Sequence, residues 1–162
     1  MTSLAPFIPS SQNVVRRMLS LAKTQSDDVV YDLGCGDGRV LFTAIHEFGV
    51  KKAVGYELNH HLVETVQRKI EDEKLVSCVT VYQQDLMNAN ISDATVIVLY
   101  LTAFGNDRLR TKLSTEAKPG TRVVSHYFTF TGWRYEKQDY YRGYTLNLYQ
   151  LPEACQRAVD KF

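Results

Sequence analysis

The chain has 162 residues, 19 Lys and Arg against 18 Asp and Glu, a formal net charge of +1 and 44% hydrophobic residues. This is the balance of a globular chain with one hydrophobic core, too short for two comfortable domains. It excludes a protein held on nucleic acid by bulk charge, and no apolar run approaches the roughly 20 residues of a membrane-spanning helix. Pro6 and Pro9 keep the first nine residues extended, without the charged and apolar regions of a secretory signal. Ser10 or Ser11 caps a helix over about 12–23. Its apolar stripe is Val14, Val15, Met18, Leu19 and Ala22, with Arg16, Arg17 and Lys23 facing out.

A β-branched strand over 29–33 runs into Gly34-Cys35-Gly36-Asp37-Gly38, and a helix over about 39–48 stops at Gly49. Residues 53–57 form a second strand, and Asn59 caps a helix over about 60–74 with Leu62, Val63, Val66 and Ile70 on one face. Strands over 79–82 and 94–101 follow, then a helix over about 105–117, a turn at Pro119-Gly120 and a strand over 121–128. Residues 133–140 and 143–150 read as a hairpin around Arg142-Gly143, and 151–162 as a short helix or tail. Strands alternating with helices from 29 to 128 imply an α/β fold: a Rossmann-like, doubly wound, seven-stranded sheet, mostly parallel, closed by a C-terminal antiparallel hairpin. One domain spans 1–162: an N-terminal segment and helix over 1–28, a ligand-binding core over 29–128, and the hairpin and tail over 129–162. Ligands in such sheets bind at the C-terminal rim of the strands.

Two nucleotide classes use a glycine loop between a strand and a helix. A dinucleotide would want G-x-G-x-x-G, but Arg39 stands where the last glycine belongs. Asp32 and Asp37 would also face its pyrophosphate, and a like-charge pair at ~4 Å costs up to about 4 kcal/mol at an effective dielectric of 20. S-adenosyl-L-methionine inverts that logic, because it carries an ammonium and a sulfonium and no phosphate. Asp32 can hold the ammonium, and the loop amides of Gly34, Cys35 and Gly36 with the helix N-terminus can take the methionine carboxylate. Glu57, ending the second strand, can accept from both ribose hydroxyls, with Leu58 beside it. Gln84, Asp85 and Leu86, after the third strand, can meet the adenine: Asp85 accepts from its amino group and Leu86 packs on the ring. Each acid alone has an ordinary reading, Glu57 as a solvated strand end and Asp85 as a turn residue or helix cap. Acids at three successive strand ends favour the cofactor.

The motif Asp32-Leu33-Gly34-Cys35-Gly36-Asp37-Gly38, with Glu57 and Asp85, resembles the class I, seven-strand methyltransferases. Pro6-Phe7-Ile8-Pro9-Ser10, Val14 to Leu19, Asp28 to Asp32, Pro119 to His126 and Gly132-Trp133 resemble the small archaeal protein-lysine methyltransferases and their mitochondrial relatives. The likeness covers residues 6 to about 150. It implies that the N-terminal segment folds over the cofactor, so that Phe7, Ile8 and Pro9 contact it. Tyr127 stands where the resemblance implies an acidic residue, and Pro152 to Phe162 has no counterpart in it.

The implied reaction is methyl transfer from S-adenosyl-L-methionine to the lysine side chain of a protein; a small-molecule or RNA methyltransferase and a non-catalytic cofactor-binding module are the alternatives. Methyl transfer needs positioning and desolvation more than a strong base, since a dry aromatic channel favours the neutral lysine amine over its usual ammonium of pKa about 10.4. The resemblance places the end of the fourth strand beside the target atom. The Asn/Asp-Pro-Pro-Tyr motif of amino methylation on bases or glutamine is absent there, and Tyr100 is the candidate catalytic residue, through its hydroxyl or by cation–π attraction. A half-buried strand-end tyrosine is its ordinary reading. His126 is either a pocket residue or a structural histidine, Cys35 a packing residue, and adjacent His60 and His61 suit no metal site. Cys35, Cys78 and Cys155 fit neither a disulfide framework nor zinc ligation, so a reducing, cytoplasmic location is expected, or a mitochondrial one in a eukaryote. A monomer without a stable nucleic-acid partner is expected, although Arg108, Arg110 and Lys112 make one basic cluster. Nine of the aromatics lie between Tyr127 and Tyr149, to be divided between sheet packing and a channel walled by Tyr127, Phe128 and Trp133.

Overall fold

The computed structural model describes residues 3–156. The strands are β1 (Val29–Leu33), β2 (Lys52–Glu57), β3 (Val79–Gln83), β4 (Val96–Leu99), β5 (Arg122–His126), β6 (Lys137–Tyr141) and β7 (Tyr144–Gln150), and the helices are α1 (Gln12–Leu21), α2 (Arg39–Phe48), α3 (His60–Asp72) and α4 (Ala103–Glu116). One seven-stranded sheet has the order β3-β2-β1-β4-β5-β7-β6. The first five strands are parallel, and β7 runs antiparallel between β5 and β6, as the hairpin around Arg142-Gly143 requires.

Side-chain oxygens start three of the helices. Ser11 Oγ accepts from the Val14 amide, Asn59 Oδ1 from those of His61 and Leu62, and Thr102 Oγ1 from that of Gly105. Gly38 and Gly49, both with positive φ, bracket α2. One face of the sheet is covered by α1, α2 and α3. Val14, Val15, Met18 and Leu19 pack on Val30, Val96, Val98, Val124 and Leu146, while Leu41, Phe42, Val66 and Ile70 pack on Ala53, Val79 and Val81. The other face carries α4, whose Leu109 and Leu113 meet Tyr31, Leu33, Ile97, Leu99, Val123 and Tyr149.

This second face differs from an evenly doubly wound sheet. Between β3 and β4 lies only a three-residue 3-10 turn, Leu86–Asn88, so no helix roofs β1 to β3 there. Wide side chains fill in: Tyr56 lies 6.2 Å from Tyr31 and 5.1 Å from Tyr82 between ring centroids. The hairpin also starts later than its sequence suggests, at Lys137 rather than 133. Residues 127–136 leave the sheet to wrap α4, and Asn106 Nδ2, fully buried on that helix, donates to the carbonyls of Phe128 and Thr129. Trp133 therefore stacks on Phe130 at 4.6 Å and packs edge-on against Tyr149, as part of the core and not of a channel wall. Of the expected short helix or tail over 151–162, Glu153–Cys155 forms a 3-10 turn, and 157–162 lies outside the described residues.

Candidate active site

The C-terminal ends of β1, β2, β3 and β4 open into a cavity of about 610 Å³. Every residue proposed for the cofactor lines it: Phe7, Ile8, Pro9, Asp32, Gly34, Cys35, Gly36, Asp37, Glu57, Leu58, Gln84, Asp85 and Leu86, and so does Tyr100. Their chemistry divides them.

Asp32 is buried, and among the described residues no donor or cation pairs with its carboxylate. Burial, and then the nearby Glu57 and Asp37, hold its pKa well above the usual carboxylate range. A buried acid aimed into a cavity, with no paired cation among the described residues, is complementary to a cation. Asp37 differs: Arg39 Nε and Nη2 both reach its carboxylate and lower its pKa, so its charge is spent on fixing the loop. Glu57 Oε1 accepts from the Leu58 and Asn59 amides and Oε2 from the Gly36 amide, each at 2.9 Å. One lone pair of Oε2 remains for a ribose hydroxyl. Asp85 Oδ1 caps the Leu86–Asn88 turn through the Met87 amide, which leaves Oδ2 for an adenine amino group.

The loop amides are a correction. Gly34 and Cys35 donate to the Tyr56 carbonyl, Gly36 to Glu57 and Gly38 to the Cys35 carbonyl, so these four already have acceptors and do not form an open nest for a carboxylate. Gly36 has a different task. A Cβ on it would lie 2.4 Å from the Phe7 ring, so the missing side chain lets the N-terminal segment seat on the loop.

That segment is pinned at several points. Thr102 Oγ1 donates to the Leu4 carbonyl at 3.1 Å, Arg39 Nη1 donates to the Ser10 carbonyl at 2.7 Å, and Ser10 Oγ pairs with His126 Nδ1 at 2.8 Å. Ser10, Arg39 and Thr102 were missed from sequence. With Ser11 capping α1, Ser10 was the spare hydroxyl, and Arg39 was the odd residue of the glycine loop.

Tyr100 follows β4, half-buried, with its ring centroid 3.9 Å from that of His126. His126 is buried, its Nε2 has no partner among the described residues, and burial lowers its pKa to about 4. Because its folded pKa lies below the ordinary value near 6.5, its share of stability is full above about pH 6.5. It drains away as pH falls towards 4, by about 3 kcal/mol. Chemical denaturation across that range should therefore show a steeper loss for the wild type than for His126→Phe; parallel profiles would overturn the assignment.

Arg108, Arg110 and Lys112 make no basic patch. Lys112 is buried and its Nζ meets Glu116 at 2.6 Å, Arg110 donates to the Thr131 carbonyl, and Arg108 lies over the Phe104 ring.

The unpaired Asp32, the spare acceptors on Glu57 and Asp85, and the glycine loop under Phe7 fit S-adenosyl-L-methionine. Comparison with known proteins agrees. Residues 32–137 match the ANTKMT methyltransferase domain. A protein-lysine N-methyltransferase of Saccharolobus islandicus (strain REY15A) is 41% identical over 152 residues, 91% of this chain and 94% of that protein. The adenine nucleotide translocase lysine N-methyltransferase of Mus musculus is 32% identical over 80% of this chain and 56% of its own length. The crystal structure of an RNA methyltransferase from Salinibacter ruber in complex with S-adenosyl-L-homocysteine superposes with a TM-score of 0.88 at 36% identity, covering 95% of this chain and 100% of that one. With two thirds of its length inside that domain, and with a site built for the same cofactor, the chain belongs to the ANTKMT methyltransferase domain family and is an S-adenosyl-L-methionine-dependent methyltransferase.

Proposed function

We propose that the protein methylates lysine side chains of other proteins. The observation that carries this reading is the 41% identity to a protein-lysine N-methyltransferase across nearly the full length of both chains. The site supports it chemically. When bound, S-adenosyl-L-methionine supplies a sulfonium methyl group for in-line displacement by a neutral amine. Asp32 would hold the ammonium end and Glu57 the ribose, and Tyr100 lines the same cavity at the end of β4. The rings around Tyr100 give an entering lysine an apolar wall, which favours its uncharged form. The Tyr100 hydroxyl orients the amine, and the proton that the amine sheds goes to solvent.

Tyr100→Phe is expected to lower kcat about tenfold, the worth of one hydrogen bond of about 1.4 kcal/mol, with cofactor affinity unchanged. Equal loss of kcat and affinity would move Tyr100 into the cofactor site.

RNA is the second reading, favoured by the Salinibacter ruber relative. The buried, ion-paired Lys112 and a net charge of +1 speak against it. Incubation with methyl-labelled cofactor and separate pools of protein and RNA decides between them: label on lysine supports the proposal, and label on RNA alone overturns it. The same reading takes the protein as a cytoplasmic monomer. The free Cys35, Cys78 and Cys155 support a reducing compartment, and sedimentation at working concentration tests the monomer.

A further inference from the structure

The target side of the site has an unusual makeup. The acids that line the cavity are Asp32, Asp37, Glu57 and Asp85, and all four lie at the C-terminal ends of β1 and β2 or in the loops after β1 and β3, on the cofactor side. From Tyr100 outward there are rings instead. Tyr100 faces His126 at 3.9 Å, the Tyr144 ring meets His126 edge-on at 5.1 Å, and Tyr127 meets Tyr144 edge-on at 6.1 Å. The phenols of Tyr144 and Tyr127 lie near enough to that of Tyr100 to add to the rise that burial gives its pKa.

Tyr127 is held at a cost. Its φ is +69°, a left-handed conformation that a bulky side chain rarely adopts. Three hydrogen bonds keep it there: its amide donates to the Thr145 carbonyl at 2.7 Å, and its own carbonyl accepts from Thr145 Oγ1 and from the buried Asn147 Nδ2. The core gains little from the result, since the Tyr127 residue stays 49% exposed and Tyr144 43%. A strained backbone that sets an exposed ring beside another exposed ring suits a ligand better than it suits packing.

We propose that Tyr127 and Tyr144, with Tyr100, form an aromatic cage that selects the cationic side chain of lysine at the entrance to the site. This rests on the protein-lysine reading above. The rings hold the stem by apolar contact and the ammonium by cation–π attraction until it loses its proton beside Tyr100. Tyr127 and Tyr144 are thus specificity-determining residues, and the left-handed turn at Tyr127 aims the outer ring.

The test uses the full chain with methyl-labelled cofactor and unfolded casein as lysine donor, with chemically acetylated casein and total RNA as controls. Tyr127→Leu and Tyr144→Leu are expected to raise KM for casein about tenfold, with kcat and cofactor Kd within about twofold of wild type. Tyr127→Phe and Tyr144→Phe keep the π face and should restore the wild-type KM. Tyr127→Gly should raise KM likewise while melting no lower than wild type, because glycine takes the left-handed conformation freely. If wild type methylates casein and the leucine variants match its KM, the cage is overturned and the lysine reading stands. If casein takes no label while RNA does, the lysine reading falls and the cage falls with it.

Discussion

Asp32→Asn is expected to make the free protein more stable and to bind its cofactor on the order of a hundredfold more weakly. In the wild type a buried carboxylate has no hydrogen-bond donor or cation among the described residues, lies near Glu57 and Asp37, and its pKa is well raised. An amide of the same shape carries no charge to desolvate or repel. Removing such a penalty is worth about 1 kcal/mol or more, which for a chain of this length is roughly 2–4 °C in Tm. The pH dependence has a definite sign. A carboxyl whose folded pKa exceeds its unfolded pKa contributes stability that is present below the unfolded value and lost as pH rises through the folded value. The Tm advantage of Asp32→Asn should therefore widen as pH rises through the folded pKa of Asp32.

Cofactor binding runs the other way. It needs the ionised carboxylate, so affinity is full above the raised pKa of the free protein and weakens as pH falls below it. Binding near that pKa should release a proton, visible by calorimetry in buffers of different ionisation enthalpy. Loss of the buried ion pair in Asp32→Asn costs about 3 kcal/mol, on the order of a hundredfold in Kd. A variant that binds normally, or that melts lower than wild type at neutral pH, would show that Asp32 is a structural acid after all.

Asp32, Glu57 and Asp85 were legible in the sequence for one physical reason. Each lies at or just after the C-terminal end of a short strand, and right-handed crossovers bring the ends of parallel strands to a common rim. No pairing needed to be known in advance. The contacts that were not legible span the chain: Ser10 meets His126 across 116 residues, and Tyr144 reaches His126 only through the antiparallel register of β7 on β5. Local patterning carries no record of such register. Lys112 failed differently. Read as one of three cations on a helix, it lies on the inward side and reaches forward to Glu116 one turn on, a matter of helical phase that a short charge run obscures. Trp133 is close in sequence to the rim, yet Asn106 draws that whole segment onto α4.

Glu57→Ala tests whether one side chain serves both cofactor and fold. Its carboxylate could be read from sequence as a ribose acceptor alone, yet it also accepts from three backbone amides and ties the glycine loop to the end of β2 through Gly36. A charge-assisted bond to a ribose hydroxyl is worth about 1.5–3 kcal/mol, roughly ten- to over a hundredfold in Kd. Truncation also leaves the part-buried Gly36 amide without its acceptor, which costs stability of about 1–2 kcal/mol. Cofactor affinity and Tm should therefore fall together. Glu57→Gln should repair them only in part. One amide oxygen can still accept from Gly36 or from Leu58 and Asn59, while the NH2 group at the other position meets an N–H donor where an acceptor is needed. If Glu57→Ala lowers affinity alone, the residue is a ribose acceptor and the loop holds without it. If Tm falls alone, Glu57 is a strand-end anchor, and the ribose is recognised by another group of the cavity.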